Sequence, residues 1–216
     1  MLRRYDLIVF DWDGTIMDSE ATIVCCLAAA ATDMGIDPPA IEVAREIIGL
    51  GMEEVAKVLF PAASATQRSL FIERFRSHYL QQDSTQVDFF PGVQTGLAEL
   101  VERGYLLAVA TGRPRRGLDR LLAQSGLAAL FAASRCADEC LSKPHPHMLQ
   151  ELLAQTGTAP NRTLMVGDTV YDMEMARTAG VDRLAVSYGV HDRARLLAHG
   201  PVACVNSFAE LCRWLG

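Results

Sequence analysis

Lysine is nearly absent from this chain: of twenty basic residues, only Lys57 and Lys143 are lysines. No run of like charge occurs, and twenty-six acidic residues leave a formal charge of -6. A polyanion finds no basic footprint here, so no nucleic-acid partner is expected. Long apolar runs are missing as well. The longest, residues 21–31, is well short of the ~20 residues that cross a bilayer, and the apolar residues 7–10 are bracketed by Asp6 and Asp11, unlike a secretory segment. No membrane partner is expected, and the cytoplasm is the expected location. The six cysteines are then expected as thiols, because a chain of this size does not need disulfides to hold a core. Cys25 and Cys26 lie in an alanine-rich helical stretch and read as small buried thiols. Cys136, Cys140, His145 and His147 are close in sequence, but at no spacing that fits a zinc site.

What is present suits a folded globular protein: 216 residues, half of them hydrophobic, enough for one large domain or two small ones. Apolar runs at residues 5–10, 105–110, 131–134, 163–166, 183–187 and 202–205 read as strands. Between most of them lie helical patterns at 93–102, 117–124, 146–155, 173–178, 194–198 and 208–214. Steady alternation of strand and helix predicts an α/β fold, a parallel sheet covered on both faces. The first strand is the exception. Almost eighty residues separate it from the second, and helical patterns at 19–34, 41–48, 52–60 and 64–82 fill that interval, punctuated by Gly35, Gly49 and Pro61. The expectation is a helical insertion over residues 17–88, leaving 1–16 and 89–216 as the core, with Pro91 and Gly92 marking the re-entry.

In an open parallel sheet the ligand crevice lies beyond the carboxyl ends of the strands. Four of those ends carry polar patterns: Asp11-Trp12-Asp13-Gly14-Thr15, then Thr111-Gly112-Arg113, then Lys143-Pro144, then Gly167-Asp168 running on to Asp172. Asp11 and Asp13 stand two apart, so in extended chain both carboxylates face one site, while Trp12 between them points away into packing. Such acids repel one another unless a cation intervenes, and Asp168 and Asp172 add further negative charge. A hard divalent ion with oxygen ligands resolves the conflict, and Mg²⁺ is the natural choice. With Lys143, a threonine hydroxyl and the turn amides of Gly14 and Gly112, the site suits a phosphoryl group. One carboxylate can attack phosphorus while the other moves protons. Arg113, Arg115 and Arg116 read as a solvated cluster rather than as contacts to an anionic substrate, and Tyr188-Gly189 as a loop at the crevice rim.

Each motif alone is ordinary turn chemistry. In order, at strand ends, the set Asp11-x-Asp13-Gly14-Thr15, Thr111, Lys143-Pro144 and Gly167-Asp168-x-x-x-Asp172 resembles the four motifs of the haloacid dehalogenase superfamily. With Lys143-Pro144-His145-Pro146 as third motif, the likeness is to its phosphoglycolate phosphatase-like branch. The resemblance implies a Rossmann-like, doubly wound parallel-sheet core with an inserted all-helical cap. It also implies a phosphatase acting on a small phosphate monoester through an aspartyl phosphate, with Asp11 as nucleophile and Asp13 as general acid and base. Asp11, Asp168 and the backbone carbonyl of Asp13 would hold Mg²⁺ with Asp172 nearby, and Thr111, Gly112 and Lys143 would bind the phosphoryl group. A monomer is expected.

Two alternatives keep parts of this reading: a beta-phosphoglucomutase-like isomerase, and a non-catalytic module that binds a phospho-ligand or a partner. The family's mutases often carry another residue where Thr15 stands, which favours hydrolysis. Asp13 speaks against the carbon-attacking dehalogenases, which lack the second acid. Lys57, the lysine of the insertion, has surroundings unlike the Schiff-base lysine of phosphonoacetaldehyde hydrolases.

Overall fold

The computed structural model describes residues 3–82 and 88–216. Six strands form one fully parallel sheet: β1 (Leu7–Phe10), β2 (Leu106–Thr111), β3 (Ala133–Cys136), β4 (Thr163–Gly167), β5 (Asp182–Val186) and β6 (Ala203–Val205), in the order β3-β2-β1-β4-β5-β6. The chain builds outward from β1 on one side, then returns to build outward on the other. The crevice therefore opens between β1 and β4, where Phe10 pairs in register with Val166.

Side chains alternate across each strand, and both faces are buried. Ile8 and Phe10 of β1 join a core with Val93 and Leu97 of α5 (Val93–Glu102), Leu118 of α6 (Arg115–Ser125) and Phe208 of α10 (Phe208–Leu215). Leu7 and Val9 join a second core with Met148 and Leu149 of α7 (His147–Thr156) and Met175 of α8 (Val170–Thr178). The remaining core helix, α9 (Arg193–Ala198), covers β5 and β6. This two-sided burial is why the strands read as unbroken apolar runs. All six expected strands and six core helices are present, with ends moved by a few residues. The helix expected at 173 begins at Val170 because Thr169 and Asp172 form a reciprocal capping box.

Between β1 and α5 the described chain is helical: α1 (Glu20–Asp33), α2 (Ile41–Glu46), α3 (Met52–Leu59) and α4 (Ala65–Gln82). These helices have a core of their own, in which α1 presents Cys26, Ala30 and Ala31 to Phe71 and Phe75 of α4. Small residues on α1 let it lie close against the larger helix. Met17, where the chain leaves the core, bridges in antiparallel fashion to Phe89, where it returns. Residues 83–87, part of the expected insertion, lie outside the described residues. Of the neighbouring cysteines, Cys26 is buried as expected but Cys25 is exposed, since adjacent helix positions cannot share one face. Among the described residues, no helix is long and apolar enough to cross a membrane.

The packing of α5 on α10 yields a test. A Cβ added at Gly96 would lie 2.6 Å from the Phe208 ring and 2.8 Å from Cys212 Sγ, and Phe208 is itself stacked on Phe10 at 5.8 Å. Alanine gains ~1 kcal/mol of helix propensity, whereas overpacking a filled core costs ~1–3 kcal/mol. Gly96→Ala should therefore lower the melting temperature in thermal unfolding; a raised value would mean that α10 yields freely.

Candidate active site

Asp11 follows β1, and its N–H donates to Val166 O of β4 at 2.9 Å. The strand pairing thus runs one residue past the sheet and aims the side chain into the crevice. Asp168 follows β4 on the neighbouring strand, and Asp172 sits in the first turn of α8, its carboxylate oriented by the Thr169 N–H (3.1 Å) and hydroxyl (2.7 Å). Asp168 accepts from the Thr15 hydroxyl at 2.8 Å and from the Val190 N–H at 2.8 Å. The three carboxylates are buried, and one oxygen from each lies within 4.8 Å of the others. Lys143, on the loop after β3, inserts a fully buried ammonium 2.7 Å from both Asp11 Oδ1 and Asp172 Oδ1.

Three acids against one lysine leave an excess of negative charge away from water. Burial is the main force pushing the Asp11 carboxyl well above its ordinary range; Lys143 opposes it, and Asp172 and Asp168 reinforce it. Burial, with Asp172, pushes Asp168 up to about 7. Burial works against the charge on Lys143, but Asp11 and Asp172 outweigh it and hold the ammonium above its usual pKa. Among the described residues, Asp11 Oδ2 finds no hydrogen-bond partner although it is fully buried. An orphaned oxygen among crowded carboxylates fits a hard divalent cation, whose charge would relieve both conditions.

Asp13 takes a different place from Asp11. Its carboxylate is gripped on both oxygens by Arg113, through Nε at 2.7 Å and through Nη2, and also accepts from the Ser19 hydroxyl. The metal-capable trio is Asp11, Asp168 and Asp172, so Asp13 enters the expected ligand set only through its main chain. Arg113 corrects a sequence expectation. It is 8% exposed rather than solvated, with its guanidinium 4.8 Å above the ring of Tyr79 from α4 and donating to the Tyr79 hydroxyl. Its neighbours do behave as surface groups: Arg115 pairs with Glu139, and Arg116 is exposed. Thr111 is buried at the end of β2, and its hydroxyl accepts from the Arg113 N–H at 3.1 Å, which leaves its own proton to donate.

Two glycines are required by close approach. Gly14 has φ of +77°, and a Cβ there would lie 2.1 Å from Asp168 Oδ2. At Gly112 a Cβ would lie 2.6 Å from the Leu50 carbonyl oxygen, so the loop between α2 and α3 closes directly onto the β2 turn. That closure is reinforced by the Gly51 N–H to Ser142 Oγ bond at 2.8 Å and by the Glu46–Arg195 ion pair. Tyr188, expected at the rim, donates to Thr15 O at 2.9 Å and so braces the first motif. Trp12 is fully buried against Phe89 and Phe131, away from the acids on either side of it. Tyr79 and Val190 had no signal in the sequence, because Tyr79 meets a partner 34 residues away and Val190 contributes only its main-chain N–H; Ser19 reads as a helix cap, but its hydroxyl turns back to Asp13 instead.

The Asp168 carboxyl makes stability pH-dependent with a definite sign. The folded protein holds this proton more tightly than the unfolded chain, so the stabilisation is complete below an ordinary carboxylate pKa near 4 and is lost as pH rises through about 7. In chelator, Asp168→Asn should therefore gain melting temperature relative to wild type at pH 8 and lose that advantage by pH 5. An equal difference at both pH values would contradict the assignment.

The comparisons with known proteins agree with this geometry. Residues 8–186 match the family model described as haloacid dehalogenase-like hydrolase. The chain is 32% identical to the "Probable phosphatase IndB" of Dickeya dadantii over 209 residues, covering 95% of this chain and 91% of that protein. It is 32% identical to a phosphoglycolate phosphatase of Synechococcus elongatus, covering 90% and 89%. Its fold superposes on the crystal structure of a predicted phosphoglycolate phosphatase from Haemophilus somnus with a TM-score of 0.90 at 23% identity, over the whole of both chains. With most of its length matched and such relatives aligned nearly end to end, the chain belongs to the haloacid dehalogenase-like hydrolases.

Proposed function

We propose that the chain is a Mg²⁺-dependent phosphatase that hydrolyses a small phosphate monoester through an aspartyl phosphate on Asp11, in the manner of the phosphoglycolate phosphatase-like branch. The observation that carries the reading is the buried Asp11, with one oxygen facing Lys143 and the other unpartnered, two residues from a second acid held quite differently. Family membership and the phosphatase names of the relatives supply the class.

In the first displacement an Asp11 carboxylate oxygen attacks phosphorus, the bond from phosphorus to the ester oxygen breaks, and Asp13 gives its proton to the departing alkoxide. In the second, Asp13 takes a proton from water as that water attacks phosphorus, which releases inorganic phosphate and restores Asp11. Thr111, through its hydroxyl, and Gly112, through its amide, hold the phosphoryl oxygens, while Lys143 neutralises charge shared between nucleophile and phosphate. Mg²⁺ bound by Asp11, Asp168 and the Asp13 carbonyl, with Asp172 beside them, would stabilise negative charge on the transferring group. Asp13 is held on both oxygens by Arg113. Acting as an acid requires it to turn from Arg113 toward the leaving oxygen.

For this chemistry the chain divides into a core of residues 1–16 and 89–216 and a helical cap of residues 17–88, a division supported by the pairing of Met17 with Phe89. The cap closes the crevice and selects the alcohol. The enzyme works as a monomer in the cytoplasm.

Inorganic phosphate release from a panel of phosphoesters, with Mg²⁺ and with chelator, tests the proposal. Turnover should require the metal and be abolished in Asp11→Asn, while Asp13→Asn should lower kcat by ~10²–10⁴. Folded protein that releases phosphate from none of the esters, or that moves phosphate within a sugar instead, would remove hydrolysis from consideration.

A further inference from the structure

A cavity of about 320 Å³ lies between the cap helices and the core. Asp13, Gly112 and Arg113 are among its lining residues, and the burial of Asp13 and Arg113 sets them away from the solvent mouth, so the inner end lies against the second acid, where the leaving group of an ester on Asp11 would emerge. The walls are hydrocarbon: Ile23 and Leu27 from α1, Ile48 from the loop after α2, Met52 and Val55 from α3, and Phe75 from α4. Charged lining groups fall into two sets. Arg113 is committed to Asp13, and Arg76, Arg116 and Asp138 are exposed and so belong to the solvent mouth.

We propose that the alcohol released by this enzyme carries a neutral, hydrocarbon or aromatic body, and that the substrate class is amphipathic phosphomonoesters rather than phosphoglycolate or phosphosugars. The inference rests on the phosphatase reading for the reaction and on the cavity for the substrate. At roughly 30 Å³ per water-sized group, the space holds about ten such groups. A two-carbon glycolate would leave most of it unfilled, and its carboxylate would have to lie along an apolar wall or stretch to the rim arginines. Along the hydrocarbon walls, most hydroxyls of a sugar would lose water without finding a partner. An apolar body exchanges water for contact along the whole length of the pocket.

The test is a series of unbranched alkyl phosphates, from ethyl to hexyl, with 3-phenylpropyl phosphate and 2-phosphoglycolate beside them. Among the longer alkyl esters the leaving oxygen stays chemically similar while the buried length changes. If the pocket takes the chain, kcat/KM should rise by about fourfold for each added methylene, and hexyl and phenylpropyl phosphate should exceed phosphoglycolate. Met52→Gln, at a half-buried wall position, should reduce kcat/KM for hexyl phosphate more than for ethyl phosphate. A flat series, or a preference for phosphoglycolate, would overturn the proposal while leaving the phosphatase reading intact. Calorimetric titration with hexylphosphonate and phosphonoacetate separates the two readings. Should no ester be turned over, tighter binding of hexylphosphonate supports the pocket assignment without the reaction, and equal or weaker binding overturns it.

Discussion

The arrangement depends on one buried cation. Lys143 Nζ stands 2.7 Å from both Asp11 and Asp172, with no exposed surface on its side chain. Removing it would leave three carboxylates facing one another away from water, the uncompensated burial of charge that folded proteins tolerate least. Much of the fold's local detail serves this charge balance. The capping box at the start of α8 orients Asp172, the Thr15 and Val190 bonds hold Asp168, and the pairing of Asp11 N–H with β4 directs the remaining acid. One lysine does not balance three acids, so the site stays poised for a further positive charge.

The two acids of the first motif, alike in chemistry, meet unlike environments. Asp11 lies at the topological switch point among other carboxylates, which makes its ionised form costly and leaves one oxygen without a partner. Asp13, two residues on, meets a guanidinium and a hydroxyl. Side chains that begin on the same face of an extended segment thus end in opposite electrostatic surroundings, the condition under which one can attack and the other can move protons.

Arg113 also joins the two parts of the molecule. It leaves the core at the end of β2, holds the core acid Asp13, and is covered by Tyr79 of α4. The wall that shields the second acid from water is therefore built by the cap, and the same helices line the apolar cavity beyond it. In the proposed reaction, access of the leaving group and the setting of Asp13 would be governed by one interface.

The sequence by itself determined the layering and the order of the motifs. Strands buried on both faces must be apolar throughout, and chemistry at a parallel sheet stands near the strand ends, so Asp11, Thr111 and Asp168 were legible from their places in the ordered motif set, and Lys143, on the loop beyond β3, from that set and from the scarcity of lysine. The helical insertion was legible from helical periodicity without strands. Only the tertiary structure decided what each polar group meets. Arg113 looks like its neighbours Arg115 and Arg116 in the chain, and is distinguished by an acid 100 residues away and a tyrosine 34 residues away. The apolar cavity is likewise assembled from positions on three cap helices and the loop after α2, each of which reads as ordinary core. The physical reason is the range of the interactions. Periodicity reports which face of an element is buried, whereas charge pairing and cavity shape depend on what faces it across the fold.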